Sequence, residues 1–179
     1  TAEVGDNNKI RENVTINRGT AAKGKTCVGS GNLLMESVHV AHDAFVGNDC
    51  IIGNGTKLAG EIIIDDHAII SANVLMHQFC RVGGYTMVGG GTRFSQDIPP
   101  YTICAREPVA YCGLNLVGLR RRGFSNELIE NIHNTYRIIY QGGVPLNEAL
   151  QKVREEVPAS PEINYIIEFI ENSKRGFVH

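Results

Sequence analysis

Six histidines are spread over 179 residues, and three of them, His39, His42 and His77, fall where their chemistry can converge. His42 is followed directly by Asp43. A carboxylate beside an imidazole holds it in one tautomer and poises it as a base near neutral pH. Lys57, Glu61 and Gln78 stand at related intervals, because positions 42, 60 and 78 are evenly spaced, as are 39, 57, 75 and 93. Two chemistries suit such a set. One is proton abstraction by His42; the other is a zinc site in which three imidazoles ligate a metal and activate water. A lone histidine on a polar surface is usually just solvated, and His67 and His133 are read that way.

The intervals acquire meaning from a repeat. From Val28 to Phe94 an apolar residue recurs at every sixth position: Val28, Leu34, Val40, Val46, Ile52, Leu58, Ile64, Ile70, Met76, Val82, Val88, Phe94. Four residues after each comes a second small or apolar group such as Val38, Ala44, Cys50, Ile62, Ala68, Val74 or Cys80, with Asn32 the polar exception. A period of six matches neither a helix nor a hairpin alternation. It matches a solenoid of short strands, each coil too small to bury its own core and therefore stacked on the next. Three hexads close one triangular coil, so residues three hexads apart stack about 5 Å apart. His42, Gly60 and Gln78 then share one column. His39, Lys57 and Arg93 share another, with Glu61 and His77 flanking the first.

Val4, Ile10 and Ile16 are already in phase, so further coils are expected before Thr1. Between Ile16 and Val28 the polar run Ala21-Ala22-Lys23-Gly24-Lys25 reads as a loop thrown out of the coil. Pro99-Pro100 is expected to end the solenoid, because neither proline can donate to a paired strand. The expected organisation is a β-solenoid over 1–100, an irregular connector over 101–124, and a helical domain over 125–179. Three helices are expected there. One is capped by Ser125 and ends at Gly142-Gly143, one covers about 147–157, and one is capped by Ser160 with Pro161 in its first turn.

A formal net charge of −2 gives no electrostatic footprint for nucleic acid. No apolar run approaches the roughly 20 residues needed to span a bilayer. Five cysteines without a C-x-x-C pair read as small core groups in a reducing compartment, which places the chain in the cytoplasm.

The run His39-Val40-Ala41-His42-Asp43, preceded by Asn32-Leu33-Leu34-Met35, resembles the UDP-N-acetylglucosamine O-acyltransferases of lipid A biosynthesis. The likeness continues through Leu58-Ala59-Gly60, His77-Gln78-Phe79-Cys80, Met87-Val88-Gly89-Gly90, Gln96-Asp97, Pro99-Pro100-Tyr101, Asn115 and Arg121-Arg122-Gly123-Phe124. The resemblance implies a left-handed parallel β-helix and a homotrimer with active sites between subunits. It also implies transfer of a long (R)-3-hydroxyacyl chain from acyl carrier protein to the sugar 3-hydroxyl. The donor would be carried on phosphopantetheine, with no other cofactor and no metal. His42 would be the general base, Asp43 its support, and Gly60 the backbone donor to the oxyanion. His39, Glu61, His77 and Gln78 would meet the sugar nucleotide, and Asn115 and Arg122 its nucleotide end. Gly90 would leave the acyl groove open, and Lys57, Arg93, Arg120 and Arg121 would steer the acidic carrier. Glu61 and Val117 depart from the family pattern, which is often a histidine and an acidic residue at these places, and so admit N-acylation of a 3-amino sugar. A related acetyl-CoA-dependent hexapeptide enzyme, a zinc hydratase and a non-catalytic scaffold solenoid are the other readings.

Overall fold

The computed structural model describes residues 1–179. From Leu33 to Phe94 each hexad folds as a two-residue strand and a tight turn. The second residue of many turns has left-handed backbone, with φ 60° at Asp43, 58° at Glu61 and 69° at Phe79, which lets the chain take a corner within two residues. The strands stack in parallel on three faces of a prism. The first face carries Ala2–Val4, Thr26–Val28, Phe45–Val46, Ile63–Ile64 and Arg81–Val82. The second carries Lys9–Ile10, Leu33–Leu34, Ile51–Ile52, Ile69–Ile70 and Met87–Val88. The third carries Thr15–Ile16, His39–Val40, Lys57–Leu58, Leu75–Met76 and Arg93–Phe94. The β-helix is left-handed.

The expected columns are present: Lys57 pairs with His39, Leu75 with Lys57, and Arg93 with Leu75. Between the first two coils the register jumps by one additional hexad, so that Thr15 pairs with His39 and Lys9 with Leu33. The surplus residues leave the prism as the loop seen in the sequence. Inside, Leu34, Val40, Val46, Ile52, Leu58, Ile64, Ile70, Val82 and Val88 are wholly buried. Each such side chain contributes roughly 1.5–3 kcal/mol of transfer free energy. Asn32 escapes the penalty of a buried amide, since its Nδ2 donates to Gly47 O at 2.9 Å and its Oδ1 accepts from Cys50 N at 2.8 Å. Burial pushes the Cys50 and Cys104 thiols up to about 12 and that of Cys80 to about 11, so these cysteines are packing groups rather than nucleophiles.

Two expectations need correction. The solenoid does not stop at Pro99-Pro100: Ile98 bridges to Val82, and Thr102–Ala105 joins the second face beside Met87–Val88. The prolines sit at a corner where no N–H is needed, and Pro99 O accepts the hydroxyls of Thr86 and Thr102, each at 2.7 Å. Nor is 101–124 irregular. Thr102–Ala105 pairs antiparallel with Ala110–Leu114, and helix α1 (Leu116–Arg121) carries the basic run. Of the remaining helices, α2 (Asn126–Gln141) and α4 (Pro161–Glu171) start behind the caps Ser125 and Ser160, and α3 (Leu146–Glu156) follows Pro145 without a side-chain cap. The helical part is pinned to the prism by phenols. Tyr136 donates to Pro100 O at 2.6 Å, and Tyr165 donates to Asp65 Oδ2 at 2.5 Å while accepting Gly84 N–H at 2.8 Å. No helix is long and apolar enough to cross a membrane.

Candidate active site

At the edge where the third face turns into the first, the turns of three successive coils stack His42, Gly60 and Gln78. His42 Nδ1 lies 2.9 Å from Asp43 Oδ2. The Asp43 side chain is fully buried, and hydrogen bonds from the Thr20 hydroxyl and then from His42, against the cost of burial, hold its carboxyl down at about 2. An ionised carboxylate has no proton to give, so Nδ1–H is the donor, and in the neutral ring the lone pair is on Nε2. Gly60 is in contact with the ring: a Cβ there would lie 2.7 Å from His42 Cε1 and 2.8 Å from Nε2. The Gly60 N–H has no acceptor within the chain. At another edge the corresponding N–H groups of Ser30 and Asn48 are taken by Asn48 Oδ1 at 2.9 Å and Asp66 Oδ1 at 2.7 Å. A base and an unoccupied backbone donor thus stand side by side.

The surplus loop reaches this edge twice. Thr20 N–H donates to Asp43 Oδ1 at 2.9 Å and the Thr20 hydroxyl to Oδ2 at 2.6 Å, while Lys23 Nζ lies 3.3 Å from a Glu61 carboxylate oxygen. Thr26 adds support from within, its hydroxyl accepting Asp43 N–H at 2.8 Å. Sequence reasoning missed Thr20, Lys23 and Thr26. The only signal was the surplus hexad itself, which announces a loop without saying where it folds.

Two grooves flank the edge. One of about 500 Å³ on the third face is lined by Leu75, His77, Arg93, Phe94 and Glu107. The other, of about 400 Å³ on the first face, has Lys23, Lys25, Asp43, Phe45 and Ile63 in its walls. The three imidazoles do not point at a common centre. His39 Nδ1 lies 2.7 Å from Thr15 Oγ1, His42 Nδ1 faces Asp43, and His77 Nδ1 donates to Gln78 O at 2.9 Å. No group of three or more His, Cys, Asp or Glu side chains is placed to hold a metal ion, so the zinc reading loses its ligand set.

The family profile described as Udp N-acetylglucosamine O-acyltransferase, domain 2, matches residues 97–178. A UDP-N-acetylglucosamine acyltransferase from Bacteroides fragilis is 73% identical, superposes with a TM-score of 0.97, and is matched over 100% of this chain and 70% of that one. The enzyme from Moraxella catarrhalis is 40% identical, with a TM-score of 0.95 and coverage of 99% and 70%. That from Francisella novicida is 38% identical, with a TM-score of 0.95 and coverage of 99% and 65%. The chain belongs to the UDP-N-acetylglucosamine O-acyltransferase family.

Within this O-acyltransferase chain the residues named from sequence divide among the three edges. His39, His42, Asp43, Gly60, Glu61, His77 and Gln78 cluster at the edge just described, with Lys57 and Arg93 beside it on the third face. Asn115, Arg120, Arg121 and Arg122 lie with α1 at the first–second edge. There Asn115 caps the helix and donates from Nδ2 to Tyr85 O at 3.0 Å, and Arg122 Nη1 donates to His67 Nδ1 at 2.8 Å. His67 is therefore not merely solvated: its ring is tilted against that of Tyr85 at 4.7 Å, and burial together with Arg122 lowers its pKa. Gly90 lies at the remaining edge, where a Cβ would meet Ala72 O at 3.3 Å. Val117 is exposed, and the first turn of α1 holds no acidic residue. The four basic residues expected to greet a carrier do not form one patch within a single chain.

Proposed function

We propose that the chain transfers an (R)-3-hydroxyacyl group from acyl carrier protein to the 3-hydroxyl of UDP-N-acetylglucosamine, in the cytoplasm, as the first step of lipid A biosynthesis. The observation that carries this reading is the His42 imidazole, tautomerically fixed by Asp43 and lying against Gly60 with its free N–H. His42 Nε2 takes the proton of the sugar hydroxyl as its oxygen attacks the thioester carbonyl. The carbonyl electrons move to oxygen, where Gly60 N–H donates to the charge that develops. As the tetrahedral adduct collapses, the C–S bond breaks and the imidazolium returns its proton to the departing pantetheine sulfur. His39, Glu61, His77 and Gln78 stand around the acceptor, and the two flanking grooves offer room for acyl chain and nucleotide.

Asn115 and Arg122 are assigned to the substrate from another copy, since a face about five residues wide, roughly 15 Å, separates their edge from His42 within one chain. That supports a homotrimer, in which a three-fold axis sets one copy's first–second edge against the next copy's His42 edge. Exposed Phe45 on the first face and Leu75 on the third give such contacts apolar surface. Gly90, from a third edge, then sets the reach of the acyl chain, and Lys57, Arg93, Arg120 and Arg121 of different copies form the basic approach to the carrier.

The test incubates full-length protein with 3-hydroxyacyl carrier protein and the sugar nucleotide and reads the ester by mass spectrometry. His42→Ala should abolish it and Arg122→Ala should weaken it severely. Mixed oligomers of the two variants should recover part of the activity. A fully active His42→Ala would overturn the base, and no recovery in mixed oligomers would overturn the shared site. An amide formed with the 3-amino acceptor alone would redefine the substrate.

A further inference from the structure

We propose that Thr20 is a positioning residue for this reaction: the surplus hexad leaves the solenoid to bring its hydroxyl and amide onto the carboxylate that orients His42. The proposal rests on the acyl-transfer reading above. Asp43 has two carboxylate oxygens and no water-exposed surface on its side chain. Oδ1 is served by Thr20 N–H alone, and Oδ2 is shared by the Thr20 hydroxyl at 2.6 Å and His42 Nδ1 at 2.9 Å. No other group in the chain donates a hydrogen bond to the carboxylate, since Thr26 takes only the backbone N–H of Asp43. Without the hydroxyl the carboxylate can rotate to improve its remaining contacts, and the imidazole it holds turns with it.

Within the loop that hydroxyl takes one hydrogen bond, accepting Ala22 N–H at 3.2 Å, and the rest of the loop is held by other contacts. Gly24 N–H donates to Thr20 O at 2.7 Å, Gly19 N–H and Thr26 N–H both reach Thr1 O, at 2.8 and 3.1 Å, and Lys23 reaches Glu61. The hydroxyl also stands first among the causes that keep the Asp43 carboxyl ionised. Its removal costs the loop one 3.2 Å contact at Ala22 and the carboxylate its 2.6 Å one, and the histidine tautomer reports on the second alone. A carboxylate–imidazole pair that loses its tautomer altogether loses roughly 10⁴-fold in turnover. Loosening one of several holds should cost a fraction of that, about tenfold or more.

The experiment compares Thr20→Val and Thr20→Ser in the full-length enzyme. Thr20→Val should lower kcat about tenfold while KM for the sugar nucleotide stays within about twofold, and Thr20→Ser, which keeps the hydroxyl, should restore turnover. Nitrogen-15 NMR of the histidine side chains should find His42 as the Nδ1–H tautomer in the native enzyme and as a mixture in Thr20→Val. Wild-type kcat in Thr20→Val, or an Nε2–H tautomer in the native protein, would overturn the proposal; the second result needs no folded variant. His42→Ala is measured alongside. If it remains active, the acyl-transfer base is wrong. If it is dead while Thr20→Val is normal, only the role of Thr20 fails.

Discussion

Gly60→Ala separates function from stability more cleanly than any other single change here. The added methyl would lie 2.7 Å from His42 Cε1, 2.8 Å from Nε2 and 3.3 Å from Nδ1, and the first two distances are shorter than real Cβ contacts reach. The ring must retreat by about 0.7 Å to reach ordinary contact. Its side chain is 47% exposed, so it has room to swing outward. That movement carries Nδ1 away from an Asp43 oxygen now at 2.9 Å, toward a separation at which no hydrogen bond survives. A misplacement of this size in a catalytic group costs on the order of 10²-fold in rate. The methyl also crowds the N–H that the proposed mechanism offers to the oxyanion, and loss of such a donor alone costs roughly 10²–10³-fold. Folding should be spared, because Gly60 is not among the residues of positive φ and alanine restricts the unfolded chain, a gain of up to about 1 kcal/mol. Gly53→Ala is the contrast: its Cβ would strike the Ala72 and Ser71 backbone at 2.5 Å, which cannot swing aside, so it should lower the melting temperature. The assay is initial-rate product formation by mass spectrometry, with thermal unfolding by circular dichroism. A folded Gly60→Ala enzyme within threefold of native turnover would refute the reasoning.

The carboxyl of Asp43 sits at about 2 in the fold and near 3.9 when unfolded, so its pairing stabilises fully above about pH 4 and is lost as pH falls toward 2. Urea midpoints of the native protein should drop over that window more steeply than those of Asp43→Asn, and parallel curves would show that the pairing contributes nothing. Tyr165→Phe removes the donor to Asp65, a carboxyl that burial already pushes up, and leaves Gly84 N–H without its acceptor. It should destabilise the protein by about 1–3 kcal/mol in chemical denaturation, and an unchanged midpoint would show that α4 does not depend on this contact.

The prism and the clustering of most candidate residues at one edge were legible in the sequence because a strand-and-corner unit is local. Once an apolar residue recurs every six positions, the parallel register follows, and with it the column of His42, Gly60 and Gln78. The caps at Ser125 and Ser160 were legible for the same reason, since a side chain meeting an N–H three residues on is a short-range event. The residues after Pro99-Pro100 were misread because two prolines forbid hydrogen bonds but not a corner, and the pairing of Thr102–Ala105 with Met87–Val88 and Ala110–Leu114 carries no signal in the hexad spacing. Tertiary structure alone decided the rest. A loop has no period, so no spacing could tell that Thr20 would close on Asp43, 23 residues away, or that Lys23 would face Glu61. It also decided that Asn115, Arg122 and Gly90 lie on edges other than that of His42. A triangular prism can turn only one of its edges toward a given point, so one chain does not bring together the residues proposed for the site.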